Sequence, residues 1–198
     1  MRILVAGATG KTGRRVVRAL QDRNHTPIAL VREGSDTSHL PSNIELRHGD
    51  LTDLPQDVAE GTDAVIFAAG SGSSTGPEMT DKVDLHGARA LVDLSKKSGV
   101  SRFVMLSSVG AGSPEGTGDM EHYLKAKHDA DEHLKASGLD YAILRPVALT
   151  DDDGRRHIRF GDDVDTGGEA ARGDVAYLLA DAVTNPEWSG QTQLMQSL

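Results

Sequence analysis

Three glycines near the start of the chain, spaced three residues apart, most constrain how this sequence can fold. They are Gly7, Gly10 and Gly13; the apolar run ILVA precedes them, and RRVVRAL, with apolar residues at helical intervals, follows. This order predicts a strand that turns sharply into a helix. Free backbone N–H groups and the helix dipole favour an anion at such a turn. The glycines therefore serve either the turn alone or a bound phosphate.

The rest of the chain alternates between apolar runs and helical patterns. The runs predicted to be buried strands are residues 2–8, 27–32, 44–50, 64–70, 102–108 and 141–147. The helical patterns are residues 13–23, 79–98, 122–138 and 173–185. Within residues 79–98, the positions that recur at helical intervals are Leu85, Ala88, Leu91, Val92 and Ser95, and Gly99 and Gly138 are expected to end the second and third helices.

Strands that alternate with helices predict a parallel sheet covered on both faces. The expected fold is therefore α/β, a doubly wound (Rossmann) sheet in one domain over residues 1–198. In this context the glycine turn lies at the first strand–helix junction, which is where a dinucleotide binds. Gly7 would permit the tight turn, Gly10 would let the backbone approach a pyrophosphate, and Gly13 would let the helix pack on the strand. The other turn residues expected at the cofactor are Thr9, Lys11 and Thr12.

Composition excludes several function classes. The chain of 198 residues has a formal net charge of -9 and no cysteine. The lack of cysteine excludes disulfides, thiolate zinc sites and cysteine nucleophiles, and the negative charge argues against nucleic acid as a partner. No apolar stretch approaches the ~20 residues that span a bilayer, and the N-terminus lacks a signal-peptide pattern. We expect a cytoplasmic protein with a small-molecule substrate and no membrane partner, either a monomer or a homodimer.

The end of the second predicted strand bears on the choice between NAD and NADP. An NAD site usually has a carboxylate there for the ribose 2′-hydroxyl, whereas this strand ends in ALVREG, with Arg32 where a 2′-phosphate would lie. A guanidinium group holds phosphate with a bidentate fork, so NADP is expected and NAD is less favoured. Glu33 could instead serve a 2′-hydroxyl, and Arg32 could be a solvated charge at the strand end.

Several motifs resemble the short-chain dehydrogenase/reductase superfamily, in particular its extended and atypical branches. The glycine turn reads GATGKTG, and the other matching stretches are GDLTD (49–53), AVIFAAG (64–70), GVSRFVMLSSVGAG (99–112), YLKAK (123–127) and YAILRPVALT (141–150). The N-terminal half is also similar to biliverdin reductase B and flavin reductase. The C-terminal region is shorter than in the extended epimerases and looks most like compact NAD(P)-binding, epimerase/dehydratase-like members. Residues from about 145 to 198 are therefore expected to line the substrate side.

This resemblance implies further cofactor contacts at the ends of the later strands. Asp50 and Leu51 would flank the adenine. The residues that would line the adenosine ribose are Ala68, Ala69 and Gly70, and the remaining implied contacts are Ser107, Pro146 and Val147.

Tyr123 and Lys127 carry the catalytic prediction, because residues four apart share one face of a helix. A nearby ammonium group stabilises a phenolate and lowers a phenol's pKa from about 10, which makes tyrosine usable as a proton donor or acceptor. Ser108, at the end of the preceding strand, could hold a substrate carbonyl. In the superfamily that the chain resembles, this Ser–Tyr–Lys set reduces carbonyls or oxidises alcohols by hydride transfer at the nicotinamide. That resemblance also implies that Tyr123 and Lys127 contact the cofactor, and that Lys127 holds the nicotinamide ribose. The set could also be an inactive remnant, since compact members often lack the tyrosine.

Three functions therefore stay open. The first is an NADP-dependent oxidoreductase that acts on small carbonyls or alcohols through Tyr123. The second is a flavin or tetrapyrrole reductase like biliverdin reductase B, which needs no tyrosine acid. The third is a non-catalytic, dinucleotide-binding redox sensor.

Three remaining stretches have two interpretations each. The side chains at 128, 132 and 133, and the aspartates at 151–153, 162, 163 and 165, are interpreted as solvated surface groups rather than metal ligands, so no metal is expected. The stretch GAGSPEGTGDM (110–120) is either a lid over the substrate or a flexible surface loop.

Overall fold

The computed structural model describes residues 1–72 and 75–198 and contains a central sheet of eight strands. The strands, in chain order, are β1 (Arg2–Ala6), β2 (Thr26–Val31), β3 (Glu45–His48), β4 (Ala64–Phe67), β5 (Arg102–Leu106), β6 (Asp140–Pro146), β7 (Ala148–Thr150), β8 (Ile158–Phe160), β9 (Glu169–Ala171) and β10 (Gln191–Ser197). The central sheet has the order β3-β2-β1-β4-β5-β6-β10-β8, and β7 and β9 form a separate pair. Only the β8–β10 pairing among the described strands of this sheet is antiparallel. The doubly wound fold and the six strands predicted from sequence are confirmed.

Helices cover both faces of this sheet. They are α1 (Gly13–Asp22), α2 (Pro77–Met79), α3 (Ala88–Lys97), α4 (Glu121–Ala136) and α5 (Arg172–Asp181), and a π-helical segment, Thr80–Gly87, joins α2 to α3. Alternate residues of β1 enter different cores: Ile3 packs in the cluster that contains Val16 of α1, while Leu4 packs in the cluster that contains Leu91 of α3. This alternation is the two-residue period of a strand buried on both faces.

The predicted second helix differs in detail from the observed one. Its first half is the π-helical segment, in which each turn contains an additional residue compared with an α-helix. Asp84 is therefore fully buried, and Leu85, which the helical spacing grouped with the buried residues of α3, is only half-buried. Gly99 and Gly138 follow the ends of α3 and α4 with φ of +72° and +82°, as the sequence predicted.

The C-terminal strands β7 to β10 were missed in the sequence. Strand β10 reads QTQLMQS and is mostly polar, yet it pairs with β6 in parallel and with β8 in antiparallel fashion. Among its residues only Met195 is fully buried, so the strand carries no apolar run.

The fourth predicted helix, residues 173–185, corresponds to α5, which ends at Asp181. None of the helices in residues 1–72 and 75–198 is long and apolar enough to cross a membrane.

Candidate functional site

A cleft of about 2000 Å³ runs along the carboxyl ends of the parallel strands. The strand order reverses between β1 and β4, and ligands of doubly wound sheets bind at such a switch point. The predicted site residues that line this cleft are Gly7, Thr9, Gly10, Lys11, Thr12, Arg32, Asp50, Leu51, Ala68, Ala69, Gly70, Ser107, Ser108, Tyr123, Lys127, Pro146 and Val147. Gly13 is buried beside the cleft at the start of α1. The structure therefore gathers residues from seven separate stretches of sequence around one cleft.

The three glycines of the first turn meet different surroundings. Gly7 has φ of +81°, and a Cβ there would lie 2.7 Å from the Ala68 carbonyl oxygen. A Cβ at Gly13 would overlap the carbonyl oxygen of Gly7, so the start of α1 packs directly on the turn. A Cβ at Gly10 would meet only that same oxygen, at 3.2 Å, and Gly10 lines the cleft. Two glycines therefore serve backbone packing, while Gly10 leaves open space where a ligand can approach the main chain.

A smaller pocket of about 500 Å³ opens beside the ends of β2 and β3. Arg32, Glu33 and His48 all line it, together with Asp50. The Asp50 carboxylate accepts hydrogen bonds from the backbone N–H and the hydroxyl of Thr52, both at 2.8 Å. These bonds, with a smaller contribution from the Arg32 charge, lower the pKa of Asp50. The pocket therefore combines the Arg32 guanidinium group with the carboxylates of Glu33 and Asp50 at the edge of the larger cleft.

Tyr123 and Ser108 lie on different elements and line the same cleft. Tyr123 is in the first turn of α4, Ser108 follows β5, and both are half-buried. The Nζ atom of Lys127 lies 5.9 Å from the centroid of the Tyr123 ring, which agrees with the predicted common helix face. Ser107 is buried, and its hydroxyl donates to Asp131 at 2.8 Å, so Ser108 is the more accessible serine of this pair.

Lys127 is held in the protein interior beneath the tyrosine. Its side chain is only 4% exposed, and its Nζ atom lies 3.2 Å from Asp84 Oδ1 and donates to the Leu106 carbonyl oxygen at 3.2 Å. Burial alone would lower the pKa of Lys127, but the negative charges of a Tyr123 phenolate and of Asp84 outweigh it and raise that pKa. The lysine is therefore a buried, charged ammonium group.

Asp84 was not recognised in the sequence analysis. It lies in the π-helical segment, is fully buried, and accepts a hydrogen bond from the Ser71 backbone N–H at 2.9 Å. The detectable signal was an aspartate within a helix whose buried positions were otherwise apolar or small. The burial of Asp84 could not be predicted from helical spacing, because residues of a π-helical turn do not follow the 3.6-residue period.

A second buried network lies behind Lys127. The Oδ2 atom of Asp131 accepts hydrogen bonds from Arg145 Nε at 3.0 Å and Arg145 Nη2 at 2.8 Å, besides that from Ser107. Burial raises the pKa of Asp131, although the Arg145 charge acts in the opposite direction. The sequence signal for this network was Arg145 itself, since a charged residue within the apolar strand YAILRPV requires a buried partner.

The aspartates at 151–153 lie across the glycine turn. The Asp151 carboxylate forms ion pairs with Lys11 of the turn and with Arg172 at the start of α5. Arg15 pairs with Asp153. The hydrogen bond from Lys11 holds the pKa of Asp151 below its usual range. The loop that contains Asp151 is therefore joined to the glycine turn by an ion pair. Lys11 and Asp151 are 140 positions apart, and no local pattern in the sequence predicts their contact.

The stretch 110–120 reaches the cleft at its C-terminal end, where Asp119 and Met120 line it. Its other end is fixed by a hydrogen bond between His128 Nδ1 and the Ala111 carbonyl oxygen at 2.8 Å.

The histidines of α4 have partners within the protein. His133 contacts Asp93 on α3 at 2.7 Å. Across residues 1–72 and 75–198, no group of three or more histidine or acidic side chains is arranged to hold a metal ion.

The strand order, the glycine turn at the switch point and the cleft above it define a dinucleotide-binding α/β protein. Sequence comparison agrees with this class. The chain belongs to the NAD(P)H-binding family, whose model matches residues 7–186. The resemblance to compact NAD(P)-binding reductases and epimerase-like proteins is thereby confirmed at the level of family and fold.

Individual relatives show how far the similarity extends. A protein of Bacillus subtilis (strain 168) with the name uncharacterized sugar epimerase YhfK is 36% identical over 182 residues, which cover 89% of this chain and 85% of that protein. A solved structure from Bacillus halodurans, assigned the name NAD-dependent epimerase/dehydratase, is 34% identical with a TM-score of 0.92 and covers 100% of this chain and 94% of that one. The structure of ChuY, an anaerobillin reductase from Escherichia coli O157:H7, is 23% identical with a TM-score of 0.81, covers 99% of this chain and 97% of that one, and shares the fold.

Proposed function

We propose that this protein is an NADP-dependent oxidoreductase that transfers a hydride between the nicotinamide and a small carbonyl or alcohol substrate, with Tyr123 as the general acid or base. The observation that carries the proposal is the common cleft. Tyr123 and Ser108 line it at one end, Gly7 and Gly10 line it at the glycine turn, and Lys127 Nζ lies 5.9 Å from the Tyr123 ring. A dinucleotide that extends from the turn along the strand ends would reach the tyrosine.

The residues at the glycine turn fit a dinucleotide. Gly10 leaves the backbone open toward the cleft, and only the Gly7 carbonyl oxygen would approach a Cβ there. The N-terminus of α1 adds the positive end of the helix dipole, which attracts a pyrophosphate. Lys11, now paired with Asp151, lies on the same turn and would supply a cation to the phosphates.

Arg32 supports the choice of NADP over NAD. It is exposed at the end of β2, and both the main cleft and the smaller pocket beside it are lined by this arginine. Its guanidinium group would pair with a 2′-phosphate. Glu33 lines the smaller pocket as well, and its carboxylate is the group that would favour the 2′-hydroxyl of NAD.

When bound, the reduced cofactor supplies two electrons as a hydride to the carbonyl carbon and is itself oxidised. The chain's own residues handle the proton and the oxygen atom. The Ser108 hydroxyl donates a hydrogen bond to the carbonyl oxygen, and the Tyr123 hydroxyl delivers its proton to that oxygen as the alcohol forms. In the reverse direction Tyr123 accepts the proton of the alcohol.

Lys127 supports this chemistry through its charge. Its ammonium group remains protonated in the interior because Asp84 and the Leu106 carbonyl oxygen hold it. A fixed positive charge 5.9 Å from the ring stabilises the phenolate that Tyr123 becomes after it gives up its proton. The lysine therefore acts through the tyrosine, and it lines the cleft where the nicotinamide ribose would lie.

The test is single-turnover oxidation of NADPH with an accepted carbonyl compound, in the unaltered protein and in Tyr123→Phe. The variant keeps the ring and removes the proton, so folding and NADP binding should persist while the chemical step slows by roughly a hundredfold or more. Tyr177→Phe is the matched control, since Tyr177 lies on α5 and stacks against Arg23 with the guanidinium 4.4 Å from its ring. It should leave the rate unchanged.

The same experiment separates the alternatives. A Tyr123→Phe variant that reduces flavin or a tetrapyrrole at the unaltered rate would indicate a reductase that needs no tyrosine acid. Tight NADPH binding without NADPH consumption for any carbonyl, flavin or tetrapyrrole would indicate a redox sensor.

A further inference from the structure

Two cations from distant parts of the chain share one carboxylate beside the glycine turn. Lys11 Nζ lies 2.5 Å from Asp151 Oδ2, and Arg172 Nη1 lies 2.7 Å from Asp151 Oδ1. Lys11 belongs to the glycine turn, Arg172 is the first residue of α5, and both line the main cleft. Because one carboxylate holds two positive side chains, these three groups keep an excess positive charge in a chain whose formal net charge is -9. They therefore attract an anion that enters the cleft.

The Asp151 carboxylate can leave its two partners at little cost. The Lys11 and Asp151 side chains are 59% and 56% exposed, so water solvates their ion pair and the pair contributes little to stability. Arg172 is 21% exposed and also donates a hydrogen bond to the Leu149 carbonyl oxygen at 3.4 Å. This second contact would keep Arg172 beside the cleft when the carboxylate turns away. Lys11 and Arg172 are therefore available to a competing anion.

The backbone around Asp151 is held by contacts that do not involve its carboxylate. Arg15 donates to the Asp151 carbonyl oxygen at 2.5 Å and to the Lys11 carbonyl oxygen at 2.9 Å. On the other side, the Gly173 backbone N–H donates to the Asp152 carbonyl oxygen at 3.0 Å. The glycine turn, the backbone of this segment and the start of α5 therefore stay together when only the Asp151 side chain rotates.

We infer that Lys11 and Arg172 together bind the pyrophosphate of the dinucleotide, and that the Asp151 carboxylate occupies their site until the cofactor displaces it. Arg172 is then a cofactor ligand from the C-terminal part of the chain, and Asp151 is an internal competitor. This inference deepens the proposed function and rests on its dinucleotide cofactor. The partner is the pyrophosphate rather than the 2′-phosphate, because Lys11 lies beside Gly10 on the turn, whereas Arg32 lies at the end of β2.

Isothermal titration of the full chain with NADP and with NAD tests this competition, since both cofactors carry the same pyrophosphate. Asp151→Asn should tighten the binding of both by about three- to tenfold, because a competing carboxylate and its repulsion of the phosphates are removed. If Asp151 only held the fold together, the same variant would bind the cofactors more weakly. Unaltered or weaker binding would overturn the inference, and so would an effect confined to one of the two cofactors.

The matched control is Asp152→Asn, which removes the same charge from the adjacent residue. The Asp152 carboxylate accepts a hydrogen bond from the neutral Thr150 hydroxyl at 2.9 Å, so this variant is expected to free no cation. Cofactor affinity should then change by less than about twofold, because an exposed charge is screened by salt. A tightening equal to that in Asp151→Asn would show a general effect of charge and contradict the inference.

Two variants test Arg172 itself. Arg172→Gln should weaken the binding of both cofactors by about three- to tenfold, whereas Arg172→Lys keeps the charge and should retain most of the affinity. Thermal unfolding followed by circular dichroism shows whether each variant folds, and the Asp151→Asn result stands alone if Arg172→Gln does not. A folded Arg172→Gln protein with unaltered affinity would contradict the assignment, as would an equal loss in Arg172→Lys.

Inorganic pyrophosphate is a second probe, because it carries the anion without a nucleotide. Phosphorus NMR titration should show tighter binding to Asp151→Asn than to the unaltered protein. If pyrophosphate follows this order but neither NADP nor NAD binds, the anion site and its internal competitor stand, and the nicotinamide cofactor is wrong. If pyrophosphate and both cofactors fail to bind, the inference is overturned as well.

Activity separates the two proposals in the other direction. If NADPH reduces a carbonyl compound through Tyr123, while Asp151→Asn and Arg172→Gln leave both cofactor affinities unaltered, the proposed function stands and this inference is wrong. If the variants shift the affinities as expected but NADPH reduces no carbonyl compound, the pyrophosphate site stands and carbonyl reduction is wrong.

Discussion

The ammonium group of Lys127 lies 3.2 Å from Asp84 Oδ1, with the lysine side chain 4% exposed and the aspartate fully buried. This ion pair joins α4 to the π-helical segment at the floor of the cleft. A buried cation without such a partner would lose its proton, because burial disfavours the charged form. The pairing therefore keeps a positive charge near Tyr123 and also makes the local fold depend on that charge.

Lys127→Met should slow single-turnover carbonyl reduction and weaken NADP binding, because both the charge and its expected ribose contact are removed. It should also lower the free energy of unfolding by about 3–5 kcal/mol, since Asp84 remains buried without its cation. The double variant Lys127→Met/Asp84→Asn serves as the control, because removal of both charges should recover much of the stability but none of the rate. Urea unfolding and stopped-flow NADPH oxidation measure the two effects. A single variant with the unaltered rate would show that the lysine takes no part in the reaction.

The sequence predicted those parts of the fold that carry a strong apolar or glycine signal. Strands β1, β4 and β5 are almost entirely buried, so each appears as an uninterrupted apolar run. The glycine turn was equally predictable from the sequence, because the close contact of Gly7 with the Ala68 backbone leaves no room for a side chain at Gly7. Strand β10 had no comparable signal, since its polar residues lie mostly on partly exposed positions.

The cleft residues that escaped prediction depend on tertiary contacts. Asp84 reaches Lys127 because the π-helical segment rotates its side chain inward, and single-sequence periodicity assumes a regular helix. Asp151 meets Lys11 although 140 residues separate them. Neither contact leaves a pattern among residues that are close in sequence, so both become apparent only in the folded structure.

Arg32→Ala should remove most of a preference for NADP over NAD. Loss of a charge-assisted contact of about 1.5–3 kcal/mol corresponds to roughly a tenfold to hundredfold weaker affinity for NADP, with little change for NAD. Isothermal titration with both cofactors measures this, and Arg18→Ala is the control because it removes the same charge from an exposed position on α1. Equal affinities of the unaltered protein for NADP and NAD would contradict the prediction, and weaker NAD binding in Glu33→Gln would then identify the carboxylate as the ribose partner.

Gly10→Val should abolish binding of both NAD and NADP while the protein still folds. A Cβ at Gly10 meets only the Gly7 carbonyl oxygen, at 3.2 Å, so a small backbone adjustment accommodates the side chain, which then fills the space expected for the pyrophosphate. Gly13→Val is the contrasting variant, because its Cβ would overlap that same oxygen and α1 could not pack on the turn. Circular dichroism and thermal unfolding distinguish the two. A folded Gly10→Val protein with normal cofactor affinity would place the phosphates elsewhere.

Asp174 should make stability depend on pH below the neutral range. Its buried carboxylate accepts hydrogen bonds from the Arg156 backbone N–H at 3.0 Å and side chain at 2.6 Å, and from the Ser197 hydroxyl at 2.7 Å. These contacts fasten the start of α5 to the end of β10. Burial alone would raise the pKa of Asp174, but the hydrogen bonds from Ser197 and Arg156 outweigh it and lower that pKa below the ordinary 3.8.

A carboxyl group with a lowered pKa in the folded state stabilises the protein above its ordinary pKa, and this contribution is lost as the pH falls through the folded-state value. Asp174→Asn should therefore reduce the free energy of unfolding at pH 7 by about 1–3 kcal/mol, and the difference from the unaltered protein should shrink below pH ~4. Urea unfolding at pH 7, 5 and 3.5 measures it. Asp163→Asn, at an exposed position in the short 3-10 helix Gly161–Asp163 before β9, is the control and should leave stability nearly unchanged. A difference between the unaltered protein and Asp174→Asn that stays constant across this pH range would mean that the charge of Asp174 does not contribute. Packing and neutral hydrogen bonds would then hold β10 to α5.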